Sequence, residues 1–455
     1  MSGIVSAEQL NIYSITISSE RFLEDKRLIV SGEVNGSGVG VELVVFENIS
    51  LPYLTGSIII QDDNDIFRVA DIRGTERVEV ILGSPESPAQ LKKQFIIAST
   101  ERSVKVNDQL STLEFELIEA HGYFDRLSLI NKVYNGTYDR MISKILTDNT
   151  NMSIRSSYFI QPTSSIRYIV PNISPLSAID VLLNYLTTKD GLPYFLFSSL
   201  NTEDLVLTDL ESTLQRDPFN RAFNKSFTFS RASINRTSSN ELLDQAFNIS
   251  SLEAYDNTDT LSMATQGALG VNLDTVNSST GIPINNHINM LNEYQYLISG
   301  QVLPEDQAKI PIDMKFRESP EGKFNKPLTD YNSKQLSVVS NSPYDDQMGL
   351  ISNYTNIRNV VVKNAYLKHL NDNAFNISVP GLVFGVKNIN RAVGHQIDIN
   401  IFREGISDES GKRNLDERKS GAYVMLAKKH VFDITNFTHN VTIRVGRVAE
   451  PRRAS

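Results

Sequence analysis

Cysteine is missing from all 455 residues, and that absence alone excludes disulfides, thiolate metal sites and cysteine nucleophiles. Tryptophan is missing too. No stretch comes near the roughly 18 consecutive apolar residues that a membrane span needs. The opening MSGIVSAEQLNIYSITISS lacks the basic-then-apolar order of a secretory leader, so synthesis in a cytoplasm is expected. Asn-x-Ser/Thr triplets such as Asn172-Ile173-Ser174 and Asn376-Ile377-Ser378 then reflect an Asn- and Ser-rich composition. Positive charge is in short supply: 44 Lys and Arg stand against 53 Asp and Glu, a net charge of -9. Tight sequence-independent binding of DNA or RNA needs clustered cations to neutralise phosphates, and this balance argues against it.

What is present is ordinary for a globular chain, 40% hydrophobic and 21% charged, enough apolar mass for real cores. The length suggests about three domains of roughly 150 residues. The first third reads as antiparallel β. Val/Leu/Ile-rich runs at 28–34 and 39–46 flank Asn35-Gly36-Ser37-Gly38, a hairpin signal because Gly and Asn accept positive φ. Further runs lie at 55–62, 76–82, 94–106 and 111–120. In the last, Leu113, Phe115 and Leu117 alternate with Glu114 and Glu116, the period of a half-buried strand. Five or six short strands predict a small barrel or two packed sheets.

After residue 121 the pattern changes. Residues 137–149 place Met141, Ile142, Ile145 and Leu146 at helical spacing. A second helix has Ser174 as cap, Pro175 at its first position, an apolar face of Ile179, Leu182, Leu183 and Leu186, and Gly191 as a stop. Strands at 167–171 and 193–197 alternate with these helices. Residues 225–255 read as strands with polar linkers. Residues 256–350 are rich in Asn, Ser, Thr, Pro and Gly, with no sustained period over 303–348, and predict an extended surface excursion. Order returns with a helix around Ile357–Leu370 and strands at 375–380, 395–402, 423–434 and 439–445, with a charged loop at 403–421 between them. The tail PRRAS reads as frayed. The expected organisation is a β domain over 1–120 and an α/β insertion over 121–215. A discontinuous second β domain follows over 216–255 plus 351–455, interrupted by a loop-rich peripheral insertion over 256–350. The fold class is α+β and β-dominated, with a β-barrel or sandwich unit at each end.

Reaction chemistry finds no foothold. His121, His287, His369, His395, His430 and His439 show neither the i, i+4 spacing of a helical zinc site nor an HExxH arrangement, and read as surface or strand histidines. Gly36-Ser37-Gly38-Val39-Gly40 lacks the third glycine, the following helix and the Lys-Ser/Thr of a phosphate loop. Asp62-Asp63-Asn64-Asp65 opens like a calcium loop, but the sixth and twelfth positions hold Phe67 and Arg73 where glycine and glutamate are needed. A carboxylate-capped turn explains it. There is no GxSxG elbow, no carboxylate in an apolar context that would raise its pKa, and no basic stripe with interleaved aromatics. No catalytic residue, no cofactor and no metal ligand is expected.

Several segments, read in order, resemble the central baseplate hub protein of T-even-type contractile-tailed phages (myoviruses). Residues 41–82 (VELVVFENISLPYLTGSIIIQDDNDIFRVADIRGTERVEVIL) give strand, link, strand ending in an aspartate turn, helical step, then Gly-x-Glu-x-Val-x-Val. Residues 121–146 (HGYFDRLSLINKVYNGTYDRMISKIL) match a strand's exit into a helix. Residues 169–186 (IVPNISPLSAIDVLLNYL) match a proline-bearing link and long helix. Residues 358–402 and the meander 423–447 complete the series. The resemblance covers about two thirds of the chain; 256–350 and 403–421 are longer than the family's connections.

The resemblance implies a non-enzymatic virion protein with two β domains similar to the tail-tube fold, assembled on the baseplate in the host cytoplasm. Three chains would form a homotrimeric, pseudo-hexameric ring with the tail tube or tube-initiator proteins on one side and the trimeric spike or needle on the other. Other baseplate proteins would surround it, and viral DNA would pass through a lumen whose acidic wall repels phosphates. Strand edges that endanger a monomer are consumed by such an assembly, and the runs at 41–46, 55–62 and 423–445 are expected in the wall. Rival readings are a receptor- or carbohydrate-binding tail component, for which Tyr294-Gln295-Tyr296 is the nearest aromatic platform, a cell-wall hydrolase, and the hub of a phage-tail-like bacterial injection system.

Overall fold

The computed structural model describes residues 6–22, 27–32, 40–62, 72–105 without 86 and 88, 111–150, 152–155, 159, 162, 165–229, 239–253, 260–277, 281, 283–299, 328–340, 354–372, 374–407, 413–416 and 419–448. The first section is antiparallel, as its alternation predicts: β1 (Asn11–Ser18), β2 (Arg27–Gly32), β3 (Gly40–Asn48), β4 (Thr55–Asp62), β5 (Arg77–Gly83), β6 (Leu91–Lys105) and β7 (Ser111–Glu119). They order as β3-β4-β7-β6-β5-β1-β2. Alternate residues such as Leu43, Val45, Ile58, Ile60, Val78 and Phe115 fill one core.

One local expectation is corrected. β2 and β3 do not pair: β2 bonds β1, while β3 bonds β4 and a strand from the far end of the chain. A Cβ on Gly40 would lie 2.9 Å from the Val30 side chain. The two strands therefore meet face to face across the core, and the intervening 33–39, with their Asn-Gly signal and the glycine cluster, lie outside the described residues. Of the aspartate turn, only Asp62, buried at the end of β4, is described.

The next section alternates helix and strand: α1 (Ala120–Asp125), β8 (Val133–Thr137), α2 (Tyr138–Thr150), β9 (Ile154–Arg155), β10 (Ser165–Ile169), α3 (Pro175–Tyr185), β11 (Tyr194–Phe197), β12 (Leu205–Asp209) and α4 (Leu210–Leu214). α3 starts as its sequence predicts, Ser174 Oγ accepting from the Ser177 N–H with Pro175 inside the first turn. Asp125 Oδ1 also accepts from the Leu176 N–H at 2.7 Å. The expected stop, Gly191, sits at φ +79 a few residues beyond the helix end. Met141, Ile142, Ile145 and Leu146 of α2 pack against Ile179 and Leu182 of α3.

β13 (Phe227–Phe229), α5 (Ser239–Ala246), β14 (Asn248–Ile249) and β15 (Ser251–Glu253) begin the second β section. The chain then departs through α6 (Thr260–Thr265), β16 (Gly270–Asn277), β17 (Pro283–Asn289), α7 (Met290–Ser299) and β18 (Lys334–Ser340). Residues 256–350 thus carry a three-stranded sheet, β17-β16-β18, where their composition suggests loops. The reason is visible in β16, whose Val271, Leu273 and Thr275 face inward behind outward Asn272 and Asp274, and whose parallel partner β18 lies beyond residue 333, out of reach of a local pattern. α8 (Tyr354–Asp372) packs against this sheet, and Lys363 from it reaches the Leu183 and Asn184 carbonyls at the end of α3, at 2.8 and 2.7 Å.

The return is β19 (Phe375–Pro380), β20 (Gln396–Ser407), β21 (Arg413–Leu415), β22 (Gly421–Asp433) and β23 (Thr438–Gly446). β13 lies between β14 and β20; β20 leads through β22 and β23 to β19, which pairs β15. Since β14 and β15 are one stretch of chain around Ser250, the ladder closes into a barrel, with Phe227, Ile249, Ile377, Met425 and Val441 inside. The molecule is a β-dominated α+β fold with large antiparallel sheets.

β22 ties the two β sections together. Its first residues, Gly421 to Val424, pair with β20. The register slips between Met425 and Ala427, and from Ala427 to Asp433 the same side of the strand pairs with β3. β23 runs along the other side from Val424 to Asp433. A bulge of this kind turns a strand, and here it carries β22 out of the barrel into the first sheet, where Phe432 and Ile434 enter that core.

Candidate functional site

Along β22 beyond the bulge, alternation sends Lys428, His430 and Phe432 inward and Lys429 outward. On β3 the same rule sends Leu43, Val45 and Glu47 inward. Ladder pairing puts the two strands side by side, so a carboxylate, an ammonium and an imidazole meet in the interior. Lys428 Nζ lies 3.0 Å from Glu47 Oε2, and His430 Nε2 lies 3.2 Å from Glu47 Oε1, all three side chains at 0% exposure. His430 Nδ1 is 3.0 Å from Nε2 of His439 on β23.

The segment after β11 completes the cluster. Glu47 accepts from the Leu200 N–H at 2.8 Å and the Ser199 hydroxyl at 3.0 Å. Lys428 donates to Asn201 Oδ1 and the Arg391 carbonyl, each at 2.9 Å, and Asn201 donates to the Phe384 and Val386 carbonyls, each at 2.8 Å. Burial alone would push the Glu47 carboxyl up, but Lys428, His430 and the Leu200 amide hold it well below the usual carboxylate range. Burial pulls Lys428 down against the pull of Glu47. Burial and the nearby Lys428 charge likewise keep His430 neutral, and burial with its neighbour His430 does the same for His439. The net charge is near zero and each charge is hydrogen-bonded, the condition under which a buried pair is tolerated.

A second cluster repeats the design. Lys93 on β6 lies 2.9 Å from Glu119 at the end of β7 and donates to Ser198 Oγ at 3.3 Å, while Glu119 Oε2 accepts from the Leu54 N–H at 2.8 Å. Burial raises the Glu119 carboxyl, but Lys93 and His121 outweigh it and set it low. Residues 198–201 therefore clamp the α/β section to both β sections through polar contacts that no solvent reaches. With the charges buried and mutually satisfied, the arrangement can hold geometry; it offers no exposed nucleophile or base.

Of the histidines expected at the surface or on strands, His287, His430 and His439 lie on strands, and five of the six are buried. His369, His395, His430 and His439 are buried, as is His121, whose Nε2 is 2.6 Å from the Pro52 carbonyl; His287 is exposed and meets the Thr329 carbonyl. Among the described residues, no group of three or more His, Asp or Glu side chains is placed to hold a metal ion, and no helix is long and apolar enough to cross a membrane. Tyr294 is no platform: it is buried, its hydroxyl donates to the Val448 carbonyl at 2.9 Å, and its ring stands edge-on to Tyr366. Sequence reading missed Glu47, Lys428, Lys93 and Glu119. The signal was available for all four, a charge in phase with the apolar face of a strand.

No family model and no curated protein matches the sequence. Solved structures do. The 43 kDa tail protein of prophage MuSo2 from Shewanella oneidensis is 10% identical, covers 95% of this chain and 98% of its own, and superposes with a TM-score of 0.51. A tail protein from Neisseria meningitidis is 12% identical over 96% of both chains, with a TM-score of 0.49. The Escherichia coli c3393 protein, a component of the type VI secretion system, is 9% identical, with 98% of this chain and 79% of that one covered and a TM-score of 0.37. The chain shares, over 95% of its length, the fold of the MuSo2 prophage tail protein.

Proposed function

We propose that this chain is a non-enzymatic hub subunit of a phage-tail-type baseplate, three copies forming a pseudo-hexameric ring. The ring joins a hexameric tail tube to a trimeric spike and lets DNA pass along an acidic lumen. In this reading the chain divides into a β domain over 1–120, an α/β domain over 121–215, a second β domain over 216–255 plus 351–455, and a peripheral part over 256–350. The observation that carries the reading is β22, which builds both β sections, so each chain brings two of them fused in one sheet and three chains bring six. The likeness to a prophage tail protein supports it.

Mass photometry and negative-stain imaging of the full-length protein test it. The expected result is a threefold ring of three times the 50.9 kDa chain mass, strengthened by a trimeric spike protein. A steady monomer at tens of micromolar, with or without a spike, overturns the ring; clearing of peptidoglycan in a zymogram overturns the non-enzymatic reading.

A further inference from the structure

Five large apolar side chains of the α/β section are exposed: Leu127 at 70%, Leu129 at 64%, Phe124 at 47%, and Val133 and Ile169 at 41% each. Val133 and Ile169 are direct ladder partners on β8 and β10. The Ile130–Ile173 bridge continues that ladder, so Leu129 stands beside them. Scattered apolar residues need no explanation, but an apolar ridge of neighbours along one ladder, Leu129, Val133 and Ile169, marks a contact surface.

Charge and backbone narrow its occupant. Arg126 and Arg167 are exposed beside the ridge, and among the described residues neither guanidinium has an ion-pair or hydrogen-bond partner. Lys132, by contrast, is matched by Asp148 at 2.7 Å. In a chain of net charge -9, two exposed arginines without a partner among the described residues, close in sequence to these aliphatic side chains, are complementary to carboxylates set among aliphatic side chains. β8 and β10 pair only with each other among the described residues, so their outer edges present main-chain donors and acceptors. Hydrocarbon would leave those groups unsatisfied, whereas an added strand satisfies them. We propose that this face binds an extended protein segment that alternates aliphatic and acidic residues, added at the edge of the β8–β10 ladder. The proposal stands on its own and does not need the ring.

The test uses the full-length protein and a short capped peptide alternating valine and glutamate, labelled for fluorescence anisotropy, with a valine–lysine peptide as control. The glutamate peptide is expected to bind and the lysine peptide not. Leu129→Glu and Arg167→Glu should each weaken binding about tenfold, a change of about 1.4 kcal/mol, and Arg167→Glu should shift preference toward the lysine peptide. Both positions are exposed, so matched circular dichroism and melting curves establish folding. Equal binding of the two peptides, or binding indifferent to both substitutions, overturns the proposal. Wild-type self-association abolished by Leu129→Glu gives the ridge to a second copy. Pelleting with phosphatidylserine-containing vesicles that Leu129→Glu abolishes gives it to lipid. Either overturns the proposed occupant.

Discussion

Mild acid should destabilise this fold through its interior histidines, well before any carboxylate is lost. His369 donates from Nε2 to the Ala268 carbonyl at 2.9 Å, and burial pulls its pKa down to about 4. His395 accepts from Arg216 at 3.3 Å, a bond only a neutral ring can take, and burial with that neighbouring charge pulls it to about 3. His430 and His439 are lowered as well. His369 and His395 stay neutral at pH 5 when folded, His430 and His439 are shifted the same way, and all four take a proton below about 6.5 when unfolded. Their stability is fully present above that pH and is lost as pH falls below it. At pH 5 the two histidines with assigned values each cost about 2 kcal/mol, together about 4 kcal/mol. The unfolding entropy of 455 residues is about 1 kcal/mol/K, so Tm should fall by about 4 °C, and His430 and His439 deepen the drop. Glu211, pushed up by burial and by Asp190 and Asp209, opposes the trend as one group against four. Thermal melts between pH 7.5 and 5 at fixed ionic strength measure it. His369→Gln keeps the bond to Ala268 and removes the titration, so it should flatten the slope by about 1.4 kcal/mol per pH unit whatever its effect on absolute stability. A flat Tm, or a slope that His369→Gln leaves unchanged, refutes the account.

Removing one partner of the Glu47–Lys428 pair, as in Lys428→Ala, should cost about 3–5 kcal/mol in denaturant unfolding, while Glu47→Leu with Lys428→Met should cost less than the two single changes together. Full additivity would show that the pair is not coupled. Gly381→Ala should lose about 1–3 kcal/mol, because its Cβ would sit 2.2 Å from the His439 ring. An unchanged midpoint would mean that β23 yields there freely.

Local chemistry was legible in the sequence and long-range pairing was not. Alternation at Leu113, Phe115 and Leu117 gave a strand, and the Ser174–Pro175 start gave a capped helix, because each depends on residues a few positions apart. The pairing of β3 with β22 joins Val45 to His430, and nothing near either residue specifies the other. The same holds for β2, whose neighbour in sequence became its neighbour across the core. Residues 260–299 hid their strands behind asparagines because only one face of β16 needed to be apolar. The buried charges were overlooked for a related reason: Glu47 and Lys428 look like surface residues until the alternation of each strand is followed through the charge.

A strand laced on both sides cannot slide without breaking two ladders at once. β22 is held by β23 along one edge and by β20 and then β3 along the other, so a load applied to either β section along the strand acts in shear on many parallel hydrogen bonds. The two sections therefore share one strand, and drawing them apart along it must break both of its ladders together.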